Sequence, residues 1–354
     1  MTAPIRIGIV GAGNNTRVRH IPGLQAIPGV ELVSVCNRSR ESSQRAADAF
    51  NIPKIYEDWR ELVAADDTDA IVIGTWPYMH REISCAVLAA GKHVMCEARM
   101  AMNAAEAHAM LAESQAHPNQ VAQIVPSPFT FRVDRTVQDL LADGYVGDLY
   151  AMTVRGVTSN FADPHAPLHW RQRQELSGYN ILNMGIWYEA AMRWVGPVER
   201  VVARGRVFNP QRHNAETGEM GTVDVPDHID MIADLPNGAQ ATYTFSSVCG
   251  FAPGSGAWLF GSEGTLHFDQ ESRTLFGGRR GAKALQELPI TPEKEGKWRV
   301  EEEFVGAIRG QEELRLTTFA DGVKYMEFTE AVHRSLTSGE VVALPLSNVY
   351  ARVR

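Results

Sequence analysis

The chain has 354 residues, 44% of them apolar and 21% charged, the balance of a soluble globular protein with room for two sizeable cores. Thirty-four Lys and Arg against 42 Asp and Glu give a net charge of −8 with no basic run, which argues against a nucleic-acid partner. No apolar stretch approaches the roughly 18 residues of a membrane span, and the four scattered cysteines (Cys36, Cys85, Cys96, Cys249) form no CxxC pair, which favours reduced thiols over a disulfide framework or a zinc site.

The first third of the chain alternates. IRIGIV at 5–10 reads as a buried strand, and its early start leaves no room for a signal peptide, so a cytoplasmic protein is expected. ELVSV follows as a second strand, then SRESSQRAADAF as a helix capped by Ser39. AIVIG at 70–74 is a third strand, 79–90 has helical periodicity, KHVMC at 92–96 is a fourth strand, 103–116 a helix and VAQIV at 121–125 another strand. Strands alternating with such helices imply βαβ units and a parallel sheet. VPSPF at 125–129 breaks the rhythm with two prolines, so the domain boundary is placed there, with a first domain at 1–125 and a second at 126–354.

The remainder has a different texture. A helix is expected from about 133 to 143, ending at Gly144, then alternating runs: DLYAMTVRGV, VERVVARGRVF, HIDMIADL, AQATYTFSSV and TLHFD. These predict an antiparallel or mixed sheet, interrupted by a helix over about 179–195 and followed by one over 318–337.

GIVGAGNNT at 8–16 follows the first strand and opens a helix. Gly11 permits the tight turn and Gly13 a close backbone approach to a pyrophosphate at the helix N-terminus, with Asn14 and Asn15 beside it. Thr16 stands where the fingerprint has its third glycine. About 20 residues on, where an NAD site usually carries an acid for the ribose hydroxyl, stand Asn37 and Arg38. An acid repels a 2′-phosphate and a guanidinium clamps one, so NADP(H) is favoured over NAD(H); the competing reading of Arg38 is a solvated helix-opening arginine.

With these residues in place the chain resembles the Gfo/Idh/MocA oxidoreductases, nearly end to end. IVIGTWPYMH resembles the family's strand-Thr-Pro-Asn-x-x-His stretch, keeping Thr75 and His80 and carrying Trp76 within it. LAAGKHVMCEARMA resembles its AGKHV-x-x-Glu-Lys-Pro segment, with Glu97 kept. HWR at 169–171, then SGYNILNMGIWYEA, resemble its Trp-Arg and GGG-x-x-x-Asp-x-Gly-x-His segments. The resemblance implies a doubly wound Rossmann domain followed by an α/β domain with a large open, mostly antiparallel sheet, whose outer face commonly makes a homodimer or homotetramer. It also implies cofactor contacts at Thr75, Trp76, His80, Glu97, Ala98, Trp170 and Arg171.

The departures cluster where the family does its chemistry. Its catalytic Lys corresponds to Ala98, followed by Arg99 in place of Pro; its Asp corresponds to Asn183 and its His to Trp187. None of these can take a hydroxyl proton as the family's residues do. Tyr179, Asn183 and Trp187 are spaced to share one helix face, a candidate substrate wall, with a core aromatic as the other reading of Trp187. Tyr179 and His169 are the candidate proton carriers, and Arg99 a candidate for binding a substrate carboxylate or steadying an alkoxide. His165 and His169 invite a metal, but Pro167 between them and the lack of a third ligand argue against one.

These residues support an NAD(P)-dependent oxidoreductase, NADP favoured, moving a hydride between nicotinamide and a secondary alcohol or ketone of a small sugar-like or cyclic substrate. Two alternatives stay open: nucleotide-dependent elimination or glycoside cleavage through transient oxidation, and a non-catalytic nucleotide-binding regulator.

Overall fold

The computed structural model describes residues 4–346. The chain forms two compact units, one of residues up to Pro126 together with Arg299–Val323, the other of Ser127–Trp298 together with the residues from Lys324 onward.

In the first unit β1 (Ile5–Val10) leads through a π-helical turn, Thr16–His20, into α1 (Ile21–Gln25). There follow β2 (Val30–Cys36), α2 (Arg40–Phe50), β3 (Lys54–Ile55), α3 (Trp59–Ala64), β4 (Ala70–Ile73), α4 (Pro77–Ala89), β5 (His93–Cys96), α5 (Ala104–Ala116) and β6 (Ala122–Ile124). The six strands are parallel in the order β3-β2-β1-β4-β5-β6, the doubly wound Rossmann order. β4 is buried along its whole length, as its unbroken apolar run requires of a strand covered on both faces. Ser39 caps α2 as its sequence predicts, accepting from Ser42 N in a capping box. That order places the strand reversal between β1 and β4, so the loops after those strands flank the crevice where ligands of such sheets bind.

The second unit begins with α6 (Phe131–Ala142) and β7 (Leu149–Val157). A 3-10 turn at Trp170–Gln172 precedes α7 (Gln174–Ser177) and α8 (Met184–Val195). Strands β8 (Arg200–Arg206), β9 (Gln211–His213), β10 (Met220–Thr222), β11 (His228–Asp234), β12 (Gln240–Ser246), β13 (Gly256–Gly261), β14 (Gly264–Asp269), β15 (Thr274–Arg279) and β16 (Gln286–Glu287) follow. The chain closes with α9 (Val300–Ile308), which belongs to the first unit, then α10 (Phe319–Ser338) and β17 (Val342–Ala343). Nine strands run β16-β15-β14-β13-β7-β12-β11-β8-β17, antiparallel except for the parallel β7–β12 pair. The sheet is therefore mixed and mostly antiparallel. Its inner face carries Ile229, Met231, Tyr243 and Phe245, and the residues between them, Asp230, Ile232, Gln240 and Thr242, are exposed. Tyr188 of α8 stacks on Phe328 of α10 with ring centroids 3.8 Å apart, and Tyr243 lies 5.7 Å from that phenylalanine, closing the core.

Candidate active site

β1 ends at Val10 and the chain turns at Gly11, whose φ of 85° lies where side chains are strained. The Gly11 amide donates to Cys36 O at 2.8 Å and the Ala12 amide to Asn37 Oδ1 at 2.6 Å. Asn37 Nδ2 in turn donates to Ser42 O at 2.9 Å. Asn37 thus fastens the glycine loop to the start of α2, and its side chain is engaged within the protein. A Cβ on Gly13 would stand 2.8 Å from Gly74 O, so the loop meets the end of β4 backbone to backbone. Thr16 is buried, and a Cβ on Gly74 would collide with its Oγ1. The fingerprint's third glycine serves close packing; here Thr16 supplies the bulk and Gly74 the room.

A cleft of about 760 Å³ opens over this loop. Gly11, Gly13, Asn14, Asn37, Arg38, Thr75 and Trp76 line it, and so do Arg17 and Arg45, which sequence reasoning passed over. No Asp or Glu is among its lining residues. A glycine turn that allows close backbone approach and three arginines suit an anionic dinucleotide, so the residues present fit that cofactor. Asn15 and Thr16 do not line the cleft; both point into the protein.

Behind the loop stands a buried charge cluster. Asn15 Nδ2 donates to Glu97 Oε1 at 2.6 Å, and His20 Nε2 lies 2.9 Å from the same oxygen. His20 Nδ1 lies 2.5 Å from Glu301 Oε1. Burial alone would lower the His20 pKa, but hydrogen bonds to both carboxylates raise it to about 9. Burial opposes ionisation of Glu97 too, yet the His20 hydrogen bond, the His20 charge and the Asn15 hydrogen bond together outweigh it and hold the carboxyl below its usual range. No local sequence signal marks His20 or Glu301, which stand 281 positions apart.

His80 is fully buried, its Nδ1 2.9 Å from Arg99 O and its Nε2 3.1 Å from Thr75 O. It ties the segment after β5 to the segment after β4, and burial pushes its pKa down, so it is neutral. The Ala98 amide donates to Glu97 Oε2 at 3.2 Å, and the Ala98–Arg99 peptide is cis. Arg99 is only 5% exposed.

In the second unit the loop before the 3-10 turn is clamped from within. Arg212 is fully buried and donates to Phe161 O, Asp163 O and Ala166 O, while the Leu168 amide donates to His213 O at 2.8 Å. His169 Nδ1 accepts the Arg171 amide at 3.2 Å, and the Arg171 guanidinium lies 4.3 Å from the Trp170 ring. Tyr179 stacks on His333 with centroids 3.7 Å apart. His165 is exposed.

The helix expected over 179–195 starts only at Met184, because Gly178 and Leu182 take positive φ values of 64° and 46°. Tyr179 therefore lies ahead of the helix and Asn183 at its N-cap, and the shared face expected for Tyr179, Asn183 and Trp187 does not form. Trp187 is fully buried between Phe129 and Phe268, at ring distances of 5.3 and 6.4 Å, and presents no surface to a substrate.

Residues 5–124 match the model of an oxidoreductase family with an NAD-binding Rossmann fold, and residues 135–267 match the GFO/IDH/MocA C-terminal domain. The chain belongs to the Gfo/Idh/MocA family. It is 28% identical over 253 residues to a bovine (Bos taurus) trans-1,2-dihydrobenzene-1,2-diol dehydrogenase, covering 68% of each chain. It is 25% identical over 302 residues to levoglucosan dehydrogenase of Pseudarthrobacter phenanthrenivorans, covering 77% of this chain and 75% of that one. A solved levoglucosan dehydrogenase in complex with NADH and levoglucosan has a TM-score of 0.84 to this chain at 22% identity, covering 97% and 100% of the two chains. An oxidoreductase domain protein from Kribbella flavida has the same TM-score at 23% identity, covering 97% and 100%. This Gfo/Idh/MocA member thus carries both of the family's domains, over residues 5–124 and 135–267. Among the described residues no helix is long and apolar enough to cross a membrane.

Proposed function

We propose that this protein is an NADP(H)-dependent oxidoreductase acting on a secondary alcohol or ketone of a small sugar-like or cyclic substrate. One observation carries the cofactor preference. The cleft over the glycine loop holds Arg17, Arg38 and Arg45 and no carboxylate, and Asn37, which occupies the acid's place, is engaged with the loop. A 2′-phosphate meets guanidinium there and a ribose hydroxyl finds no acid. The remaining contacts assigned to the cofactor are Asn14, Thr75, Trp76, Glu97, Ala98, Trp170 and Arg171. The substrate class rests on the relatives, which are dehydrogenases of a cyclic diol and an anhydrosugar by name.

When bound, the nicotinamide accepts or donates a hydride; the protein has to orient the substrate and handle one proton. His169 Nδ1 already accepts a backbone amide, so the neutral ring carries its proton on Nε2. In that form it hydrogen-bonds a substrate oxygen but cannot take a proton from it. Tyr179, partly exposed and braced by His333, is the better acid, giving its phenolic proton to a developing alkoxide. Asn183 and Arg99 complete the proposed substrate contacts.

The test is direct. The purified protein, offered polyols, glycosides, anhydrosugars and cyclic ketones, should oxidise or reduce a member of that panel with matching nucleotide turnover, NADP(H) preferred. Turnover without net nucleotide change would instead indicate elimination through transient oxidation. Nucleotide binding with no turnover on any member overturns the reading.

We further propose a cytoplasmic homodimer or homotetramer, joined through the outer sheet face where Phe260 and Ile232 are exposed and Trp258 stacks on His267. Sedimentation of the wild type and of Ile232→Glu tests this, a monomeric wild type counting against it.

A further inference from the structure

Three side chains from three distant stretches form one ionic cluster inside the first unit: His20 after the glycine loop, Glu97 after β5, and Glu301 in the first turn of α9. Gly23 makes room for it, since a Cβ there would stand 3.0 Å from Glu301 Cδ. The histidine and Glu301 are fully or almost fully buried, with side-chain exposures of 0% and 1%. Such a cluster is a poor way to stabilise a fold, because desolvating three charged groups offsets most of their attraction. Its arrangement at one end is what distinguishes it. Glu97 Oε1 receives both Asn15 Nδ2 and His20, whereas among the described residues Oε2 receives the amide of its neighbour Ala98, and the side chain keeps 14% of its surface. Glu97 also stands at the C-terminal edge of the parallel sheet, where ligands of this fold bind, and Asn15 bonds it from the glycine-loop side.

We propose that His20 is a positioning residue for the cofactor: clamped by Glu301, it holds Glu97 through Oε1 so that Oε2 is kept as an ionised acceptor for a donor group of the dinucleotide, either a ribose hydroxyl or the carboxamide NH₂. The proposal rests on the reading of Glu97 as a cofactor contact. Only donors can meet a carboxylate oxygen, and a carboxylate accepts more strongly than a carboxyl group. Ala98 carries no charge, and the cation that the structure shows bonded to Glu97 is His20. The ionisable groups hydrogen-bonded to His20 include Glu97 and Glu301, whose charges also favour its protonated form.

The experiment is dinucleotide affinity measured from about pH 6 to about pH 10 for the wild type, Glu97→Gln, His20→Asn and Glu301→Gln, with circular dichroism to verify folding. Wild-type affinity should be flat through neutral pH and fall as pH passes about 9, where His20 loses its proton. Glu97→Gln should weaken binding about tenfold at neutral pH, the size of a lost charge-assisted hydrogen bond. His20→Asn should weaken it similarly and add a decline toward acid, since Glu97 without its cation protonates more easily. Glu301→Gln removes one of the two carboxylates holding the proton on His20 and should move the alkaline fall to lower pH. If folded His20→Asn binds as the wild type at every pH while Glu97→Gln binds weakly, the proposal is overturned and the reading of Glu97 stands. If Glu97→Gln binds as the wild type, the reading itself fails. Should His20→Asn not fold, Glu301→Gln decides: an alkaline fall left where the wild type has it overturns the proposal.

Discussion

His20 Nδ1 and Glu301 Oε1 meet at 2.5 Å across 281 residues of sequence. The contact joins the helix that follows the glycine loop to a segment that returns to the first unit after Ser127–Trp298 of the second. It also gives that unit a pH dependence. The folded His20 pKa is raised from 6.5 to about 9, so its stabilisation is fully present below about 6.5 and is lost as pH rises through about 9. The folded Glu97 pKa is lowered from 4.5, so its share is present above about 4.5 and is lost as pH falls through the lower value. The cluster therefore stabilises most between about pH 4.5 and 6.5, and the histidine's share is on the order of 3 kcal/mol. Thermal unfolding across pH should show the alkaline loss in the wild type. Its absence from His20→Gln, destabilised by roughly 3–5 kcal/mol at neutral pH because two carboxylates stay buried without their cation, is the control. A wild type equally stable at pH 7 and above 9 would sink the assignment.

Arg38 is exposed in the cleft beside Ser42 and Arg45. Arg38→Ala should weaken NADPH binding by about 10- to 100-fold, the worth of a charge-assisted hydrogen-bonded pair, and change NADH binding little. Titration of both nucleotides by fluorescence quenching reads this. Equal losses for the two would place Arg38 on a diphosphate instead, and no loss would place it in solvent.

The doubly wound half was legible because βαβ order writes itself as apolar runs separated by capped helices. Ser39, the glycine turn at Gly11 and the four-residue strand at 70–73 all fall where their sequence puts them. Packing between distant segments was not legible. Nothing near Asn37 announces that its amide fastens the glycine loop, and nothing near His20 announces Glu301. β13 and β15 escaped notice because GAWLFG and TLFGGR carry glycines that blur a period of two. The helix over 179–195 was overread for a related reason: helical spacing of Tyr179, Asn183 and Trp187 survived in the sequence while the backbone at Gly178 and Leu182 turned left-handed and delayed the helix to Met184. α9 belongs to the first unit although it lies in the chain between the two segments of the second, which no linker signal could reveal.

Trp187 offers a sharp contrast between two substitutions. It is buried against Phe129 and Phe268, and its Nε1 has no hydrogen-bond partner among the described residues. Trp187→Ala should cost about 3–5 kcal/mol through the cavity it leaves. Trp187→Phe keeps most of the ring and removes the unsatisfied N–H, so its cost should stay under about 1.5 kcal/mol. Chemical denaturation of both variants measures this. A Trp187→Phe variant that keeps its stability but changes substrate affinity would show that the indole reaches the ligand after all.

Tyr179 and His169 are separated by what each can do with a proton. His169 is pushed below its ordinary pKa, first by burial and then by Arg171, and its Nδ1 already accepts an amide. At neutral pH it is uncharged and fixed in one tautomer, so it can steady an oxygen without exchanging a proton with it. Tyr179 has a phenolic O–H and a ring held against His333. Tyr179→Phe keeps the stack and removes only the hydroxyl, and should lower kcat by about 10²- to 10⁴-fold while nucleotide affinity stays unchanged. His169→Gln retains a hydrogen-bonding side chain and should raise KM more than it lowers kcat. Steady-state kinetics on the best substrate of the panel separate the two. If His169→Gln abolishes turnover and Tyr179→Phe does not, the ring changes tautomer in the cycle and the proton passes through the histidine.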